Sequence, residues 1–402
     1  MSHFGEPAAP TCMRVFGSRS LLVFFTAAVT ACGGSSVVLS APGDAGENSM
    51  SAATGGSGPV STTSAATGGS GGSGGSQGGS GGGAGAGGST VQVDAGPPRC
   101  AFASDAGTIG SGPTASQDVV LGRIFQFLND SPVTPFGIGA AQVTPAWAAT
   151  VAAAILDDQL TRGTEARGLA RFLSSWLNVR ADSDAGLPAA RTWARKLLDP
   201  NATLTTLFAG PTGDPHRKGI FTDQQVLAAR GDISERGYWF FTHLFCGDPL
   251  VHPPGIPAGQ PPKPGSTRRQ ARETEVASPL CMACHKAIDP AGFSLEHFDA
   301  LGNYREMDNG QAVDSAGTVT LPTPMLTFTS IDDLAPQLAT SCLVARCFSR
   351  SVMIDAYAVP PATATLPFND QEVDQVATAF ANSNFAIREL VKAIVSSPSF
   401  LR

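Results

Sequence analysis

Between Gly33 and Gly96 the chain carries 22 of its 46 glycines. Residues 33–98 are rich in Gly, Ser, Ala and Thr and almost free of large apolar side chains, and the string SAATGGSG occurs twice, at 51–58 and at 64–71. Such a stretch cannot bury enough apolar surface to offset chain entropy, so it is expected to be disordered. As a random coil it would reach roughly 45 Å, from about 5–6 Å times the square root of its length. The 402-residue chain therefore has a folded body that begins near Cys100 and holds roughly 300 residues, enough for a real core. Solenoid-type repeats are absent. A formal net charge of -7 and the lack of any Lys/Arg-rich run argue against nucleic acid as a partner.

Ahead of this stretch, Leu21 to Val29 reads LLVFFTAAV, preceded by Arg14 and Arg19 and followed by Thr30-Ala31-Cys32. A basic region, a short apolar run and small residues before a cut describe a secretory signal. The run is far below the ~20 residues that span a bilayer. Val29-Thr30-Ala31-Cys32 resembles a bacterial lipobox, in which the cysteine is lipidated and becomes the first mature residue. The sequence thus predicts a signal peptide over 1–31, membrane attachment through lipidated Cys32 and a Gly/Ser-rich linker over 32–98. Gly33 after the cysteine implies, by the same resemblance, an outer-membrane or cell-surface location, with the periplasmic side as the other possibility. Starting at Met13 would give a signal of ordinary length, and that start is the expectation.

The body reads as mainly α. Thr144-Pro145 gives an N-cap with proline at the first helical position, opening a helix to about Leu160. Leu169, Phe172, Leu173, Trp176 and Leu177 form an amphipathic stripe. Tyr238, Trp239, Phe241, Leu244 and Phe245 make a shorter apolar segment, and Ser330 with Asp333 opens another helix. Phe385, Ile387, Leu390, Val391, Ile394 and Val395 mark a last helix that stops at Pro398. Residues 311–328 alternate weakly and suggest a hairpin or loop. Pro249 to Pro264 holds seven prolines and reads as an extended surface connection. The expected organisation is a helical domain over 99–210, a cytochrome-c-like domain over 211–328 and a C-terminal helical domain over 329–402.

Cys281-Met282-Ala283-Cys284-His285 is a C-x-x-C-H sequence, the attachment signature of one covalent c-type haem. Two thiols one helical turn apart can add to the two vinyl groups on one porphyrin edge, and the adjacent histidine can ligate the iron. Covalent attachment occurs outside the cytoplasm, and the N-terminus supplies the export signal independently. Two rivals remain open at this level. One is half of a zinc site completed by scattered residues among His216, His243, His252, His297, Cys342 and Cys347. The other is a redox dithiol or structural disulfide, although no βαβ context is present.

For the sixth iron ligand, Met325 lies 40 residues after His285 in the loop Leu321-Pro322-Thr323-Pro324-Met325. Methionine ligation would favour electron transfer over oxygen chemistry. Met307, His297 and His252 are alternatives, and an open iron would point toward peroxidase-like chemistry. Cys100, Cys246, Cys342 and Cys347 form an even remainder that suggests two disulfides, with Cys342 and Cys347 each paired to a distant partner. Asp289-Pro290 is expected to start a new helix after the motif, and Glu296, Asp299 and Arg305 read as a surface salt-bridge set. G-x-S-x-G occurs only inside the Gly/Ser-rich stretch, where it follows from composition, and the folded body has no G-x-S-x-G, P-loop or H-E-x-x-H sequence.

Arg217 to Leu227, Arg236-Gly237, Leu244-Phe245-Cys246, Cys281 to Phe293 and Leu295 to Arg305 resemble a bacterial domain family of unknown function, grouped with Planctomycete-cytochrome-type proteins. Cys347 to Met353 and Arg388 to Phe400 resemble the small domain that closes such chains, and residues 118–200 are similar to their upstream helical domain. The resemblance marks Cys281, Cys284 and His285, together with Asp289, Gly292, Asp299, Gly302 and Arg305, to which it gives no role. The functional expectation is a membrane-anchored haem c protein that transfers electrons to an unidentified redox partner protein. An electron-transfer protein is favoured over a catalyst. The competing class is a non-haem, disulfide-stabilised surface binding or structural module.

Overall fold

The computed structural model describes residues 100, 102, 112–131, 143–164, 166–177, 186–250, 263–320, 325–359 and 365–402. The signal segment, Cys32, the Gly/Ser-rich stretch, His252 and most of the proline-rich connection lie outside the described residues. Within them the fold is mainly helical, and strands occur only as two short antiparallel pairs.

Local chemistry explains where the first helices begin and which faces they bury. Helix α1 (Gln117–Asn129) buries Val120, Ile124, Phe127 and Leu128. Helix α2 (Pro145–Arg162) starts where the Thr144 hydroxyl accepts from the Trp147 amide at 3.1 Å, with Pro145 in the first turn. It stops at Gly163, whose φ of 62° only glycine adopts without cost. Helix α3 (Arg167–Trp176) turns the anticipated stripe of Leu169, Phe172, Leu173 and Trp176 inward. Helices α4 (Gly186–Leu197), α5 (Leu204–Ala209) and α6 (Gln224–Ala228) follow, the second held by a reciprocal Thr203/Thr206 cap.

Helix α7 (Ile233–His243) opens with another reciprocal cap, between Asp232 and Glu235. Helices α8 (Arg268–Glu275) and α9 (Pro279–Phe293) lead to two strand pairs. The pair β1 (Met307–Asp308) and β2 (Gln311–Ala312) lies wholly near the surface. In the pair β3 (Gly317–Val319) and β4 (Leu326–Phe328), Gly317 faces Phe328 and Val319 faces Leu326. Of the weakly alternating stretch 311–328, the part from Gly317 to Phe328 is therefore a hairpin with Val319, Leu326 and Phe328 turned inward, whereas Gln311–Ala312 pairs with β1. Helix α10 (Ile331–Ala339) begins at Ser330 as expected. Helices α11 (Cys342–Ala356), α12 (Asp370–Asn382) and α13 (Ile387–Val395) complete the chain.

Aromatic side chains tie early and late segments together. Trp176 meets Trp239 edge-on with ring centroids 5.0 Å apart and Phe348 edge-on at 5.2 Å, and it stacks on Phe208 at 6.3 Å. The Trp239 indole N–H also donates to the Trp176 carbonyl at 3.0 Å. Two disulfides, Cys100–Cys342 and Cys246–Cys347, fasten the same body. Each cysteine of the α11 pair is bonded to a distant partner, as the helix geometry requires.

Candidate site on helix α9

Helix α9 begins two residues before the cysteine motif. The Ser278 hydroxyl accepts from the Cys281 amide at 3.2 Å, and Pro279 occupies the first turn. Helical spacing then puts Cys281, Cys284 and His285 on one face. Both thiols are free and partly exposed, whereas the four other described cysteines are oxidised. Leu280, 53 % exposed, and Met282 add apolar surface beside them.

The second half of α9 is buried against α7. Ile288, Asp289, Ala291, Gly292 and Phe293 all face inward. The two helices touch backbone to backbone at a pair of glycines. A Cβ on Gly237 would stand 1.9 Å from the Ile288 carbonyl oxygen, and one on Gly292 would stand 2.1 Å from the Ile233 carbonyl oxygen. Only glycine permits this crossing.

The close crossing delivers Ser234 of α7 to the motif. Its hydroxyl donates to Asp289 Oδ1 at 2.6 Å and lies 3.3 Å from His285 Nδ1. His285 Nδ1 in turn lies 3.1 Å and 3.0 Å from the two Asp289 oxygens. A carboxylate only accepts, so Nδ1 carries the hydrogen, an assignment made from its partners. In the neutral ring Nε2 is then the lone-pair nitrogen, as a metal-ligating histidine requires.

Asp289-Pro290 does not start a new helix. Pro290 lies inside α9, and Asp289 is 3 % exposed. Packing on α7 holds the helix through a proline that removes one backbone donor. Of the expected surface salt-bridge set, the Glu296–Arg305 pair forms, but Glu296 is buried and not at the surface. Glu296 is 1 % exposed, with Arg305 at 3.0 Å and Arg268 at 3.7 Å from its carboxylate. Burial pushes its carboxyl up, and Arg268 and Arg305 oppose that.

Beside this pair, Arg236 of α7 is almost fully buried. It donates to the carbonyls of Arg230, Leu295, Phe298 and Asp299, and so ties α7 to the turn that follows α9. Burial lowers its guanidinium to about 10, which leaves it charged at neutral pH. Asp299 lies at the edge of that turn and accepts from the Leu301 and Asn303 amides.

The described sixth-ligand candidates lie on elements other than α9. The Gly317 end of the hairpin sits at α9, 3.5 Å from the Pro290 carbonyl for a Cβ built there. Met325 lies at the other end, just before Leu326, and is 66 % exposed. Met307 is exposed on β1. His297 is occupied by the Arg305 carbonyl at 3.0 Å and stacks on Tyr304. Of the sequence-derived site, Cys281, Cys284 and His285 share one face of α9, and Met325 lies beside the hairpin with its side chain exposed.

Ser234 is the member that sequence reading missed. The signal was present in the D-x-x-E cap at Asp232–Glu235, which starts a helix and puts Ser234 and Gly237 on one face. Among the described residues no three or more His, Cys, Asp or Glu side chains converge as a metal-holding group. A closed zinc site needs four protein ligands, whereas haem iron can be held by a single proximal histidine. The donors on α9 fit a haem: two reduced thiols one turn apart, a histidine with Nε2 available, and uncovered apolar surface at their side.

Helix α9 thus defines a helical protein with a thiol pair and an oriented histidine at the surface end of a buried helix. Residues 217–308, which contain all of α7 and α9, match a family model described as PSCyt3, protein of unknown function (DUF1588). No curated protein and no solved structure matches the chain.

Proposed function

We propose that the chain is a membrane-anchored c-type haem protein that transfers electrons outside the cytoplasm. The observation that carries this reading is the state of the cysteines. Four are spent in disulfides, and the two beside His285 are free, one turn apart and on an open apolar face. Each thiol would add across one vinyl group, its sulfur to one carbon and its hydrogen to the other, so attachment needs no oxidant. His285 Nε2 would hold the iron from one side, and Asp289 with Ser234 would hold the ring at the correct angle. Bound haem supplies a one-electron couple at a potential set by its ligands and surroundings.

Met325 is the proposed sixth ligand on spacing, and its exposure leaves the thioether unengaged by the core. Export through the signal segment and anchoring through Cys32 belong to the same proposal, and the disulfides agree with an oxidising compartment. Among the described residues no helix is long and apolar enough to cross a membrane. The unidentified partner is a redox protein. The second reading, a non-haem surface module, rests on the two disulfides that brace the body.

The test is absorption of the full chain purified from a host competent in haem attachment. A Soret band that stays with the protein through acid-acetone extraction is expected. No Soret band from such a host sinks the proposal. Met325→Ala should then abolish the red-edge methionine–iron absorption band of the oxidised protein.

A further inference from the structure

We infer that Asp289 and Ser234 form a tuning pair that fixes the tautomer of His285 and strengthens its Nε2 as a donor, poising the site toward the oxidised state. The consequence for potential rests on the haem reading above; the tautomer does not. Three observations support it. Asp289 is buried, so its carboxylate acts on the ring with little screening by water. Both of its oxygens lie within 3.1 Å of Nδ1. Ser234 donates to Oδ1 at 2.6 Å and is carried there by the Gly237–Gly292 crossing, so the arrangement belongs to the helix packing.

The direction of the effect follows from charge. A carboxylate that accepts the Nδ1 hydrogen leaves more electron density on the ring and makes Nε2 the better ligand for ferric iron. Ser234 works against this, because its hydroxyl withdraws charge from the same carboxylate. The two residues therefore have opposite signs. Asp289→Asn keeps an acceptor for Nδ1 but removes the charge, and should raise the midpoint potential. Ser234→Ala removes the opposing donor and should lower it. A residue that merely supported the fold would not give shifts of opposite sign.

Two measurements on the full chain separate this inference from the haem proposal. The first is nitrogen-15 NMR of histidine-labelled protein carrying Cys281→Ser and Cys284→Ser, which needs no haem. His285 should be found with hydrogen on Nδ1, and adding Asp289→Leu should convert it to a mixture or to the Nε2–H form. Hydrogen on Nε2 while Asp289 is in place overturns the inference whether or not haem attaches. The second is a redox titration of the haem-loaded protein. Asp289→Asn should favour reduction at least tenfold, about 59 mV for one electron, and Ser234→Ala should shift the potential the other way by less. An unchanged Asp289→Asn potential, or shifts of the same sign, overturns the tuning role. A chain that never takes up haem defeats the proposed function, and the NMR result still decides the role of Asp289.

Discussion

The two halves of α9 obey different rules. The half from Pro279 to His285 exposes Leu280 and Met282 and keeps two thiols reduced. The half from Ile288 to Phe293 is pressed against α7 so closely that two glycines are required. One helix thus serves as a buried anchor and as a surface platform. The anchor half fixes the orientation of the platform, and Asp289 at their junction carries that order to the His285 ring. Function can be presented at a surface without flexibility when the next turn of the same helix is locked in a core.

The largest expected effect breaks the platform and spares the anchor. Replacing Cys281 and Cys284 together by serine should abolish covalent haem completely, read by pyridine haemochrome, while the urea midpoint changes little. A large fall in that midpoint would show that the exposed half also carries stability. Gly237→Ala attacks the anchor instead. The added methyl meets a backbone carbonyl that cannot swing away, so a loss of about 3 kcal/mol is expected in chemical denaturation. A near-neutral result would mean that the helices do not cross at this distance.

Arg236→Met removes the donors to four carbonyls and should cost about 2–3 kcal/mol. Haem attachment should persist in whatever fraction folds.

Protonation probes the anchor side more gently. Burial, with Arg230 nearby, lowers His243 from 6.5 to about 4. The unfolded chain therefore binds more protons between those values, and stability is present above pH ~6.5 and is lost as pH falls toward ~4. The loss is about 3 kcal/mol at most, at 1.36 kcal/mol per pH unit. Glu296, held above its ordinary range by burial, contributes with the opposite sign. Comparing wild type with His243→Gln isolates the histidine part: the difference between their urea midpoints should shrink from pH 7 to pH 4. The smallest effect belongs to the platform: Leu280→Ser should stay within about 0.5 kcal/mol. A larger loss there would mean that another part of the chain already covers this face.

Much of the fold was legible because it depends on short-range chemistry. The cap at Thr144, the stripe through Trp176, the start at Ser330 and the last helix through Val395 were all anticipated from spacing and end residues. Asp289-Pro290 was misread because a proline after an aspartate has the local form of a helix start, and only packing on α7 carries α9 through it. Glu296 looked like a surface charge because sequence spacing carries no burial; it is buried, with Arg268 and Arg305 as its ion-pair partners.

By itself, the sequence determined which residues could do chemistry: two thiols one turn apart and the histidine beside them, written as Cys281-x-x-Cys284-His285. Local periodicity also determined that the body is helical, since side-chain spacing and end caps act within a turn or two. The four cysteines of the two disulfides were also legible, but tertiary structure alone decided which partner each takes, because pairing needs proximity that chain order does not give. It also decided the tautomer of His285. That depends on Asp289 being buried and on Ser234, 51 positions earlier than His285, being brought within hydrogen-bond reach by a glycine crossing between two helices.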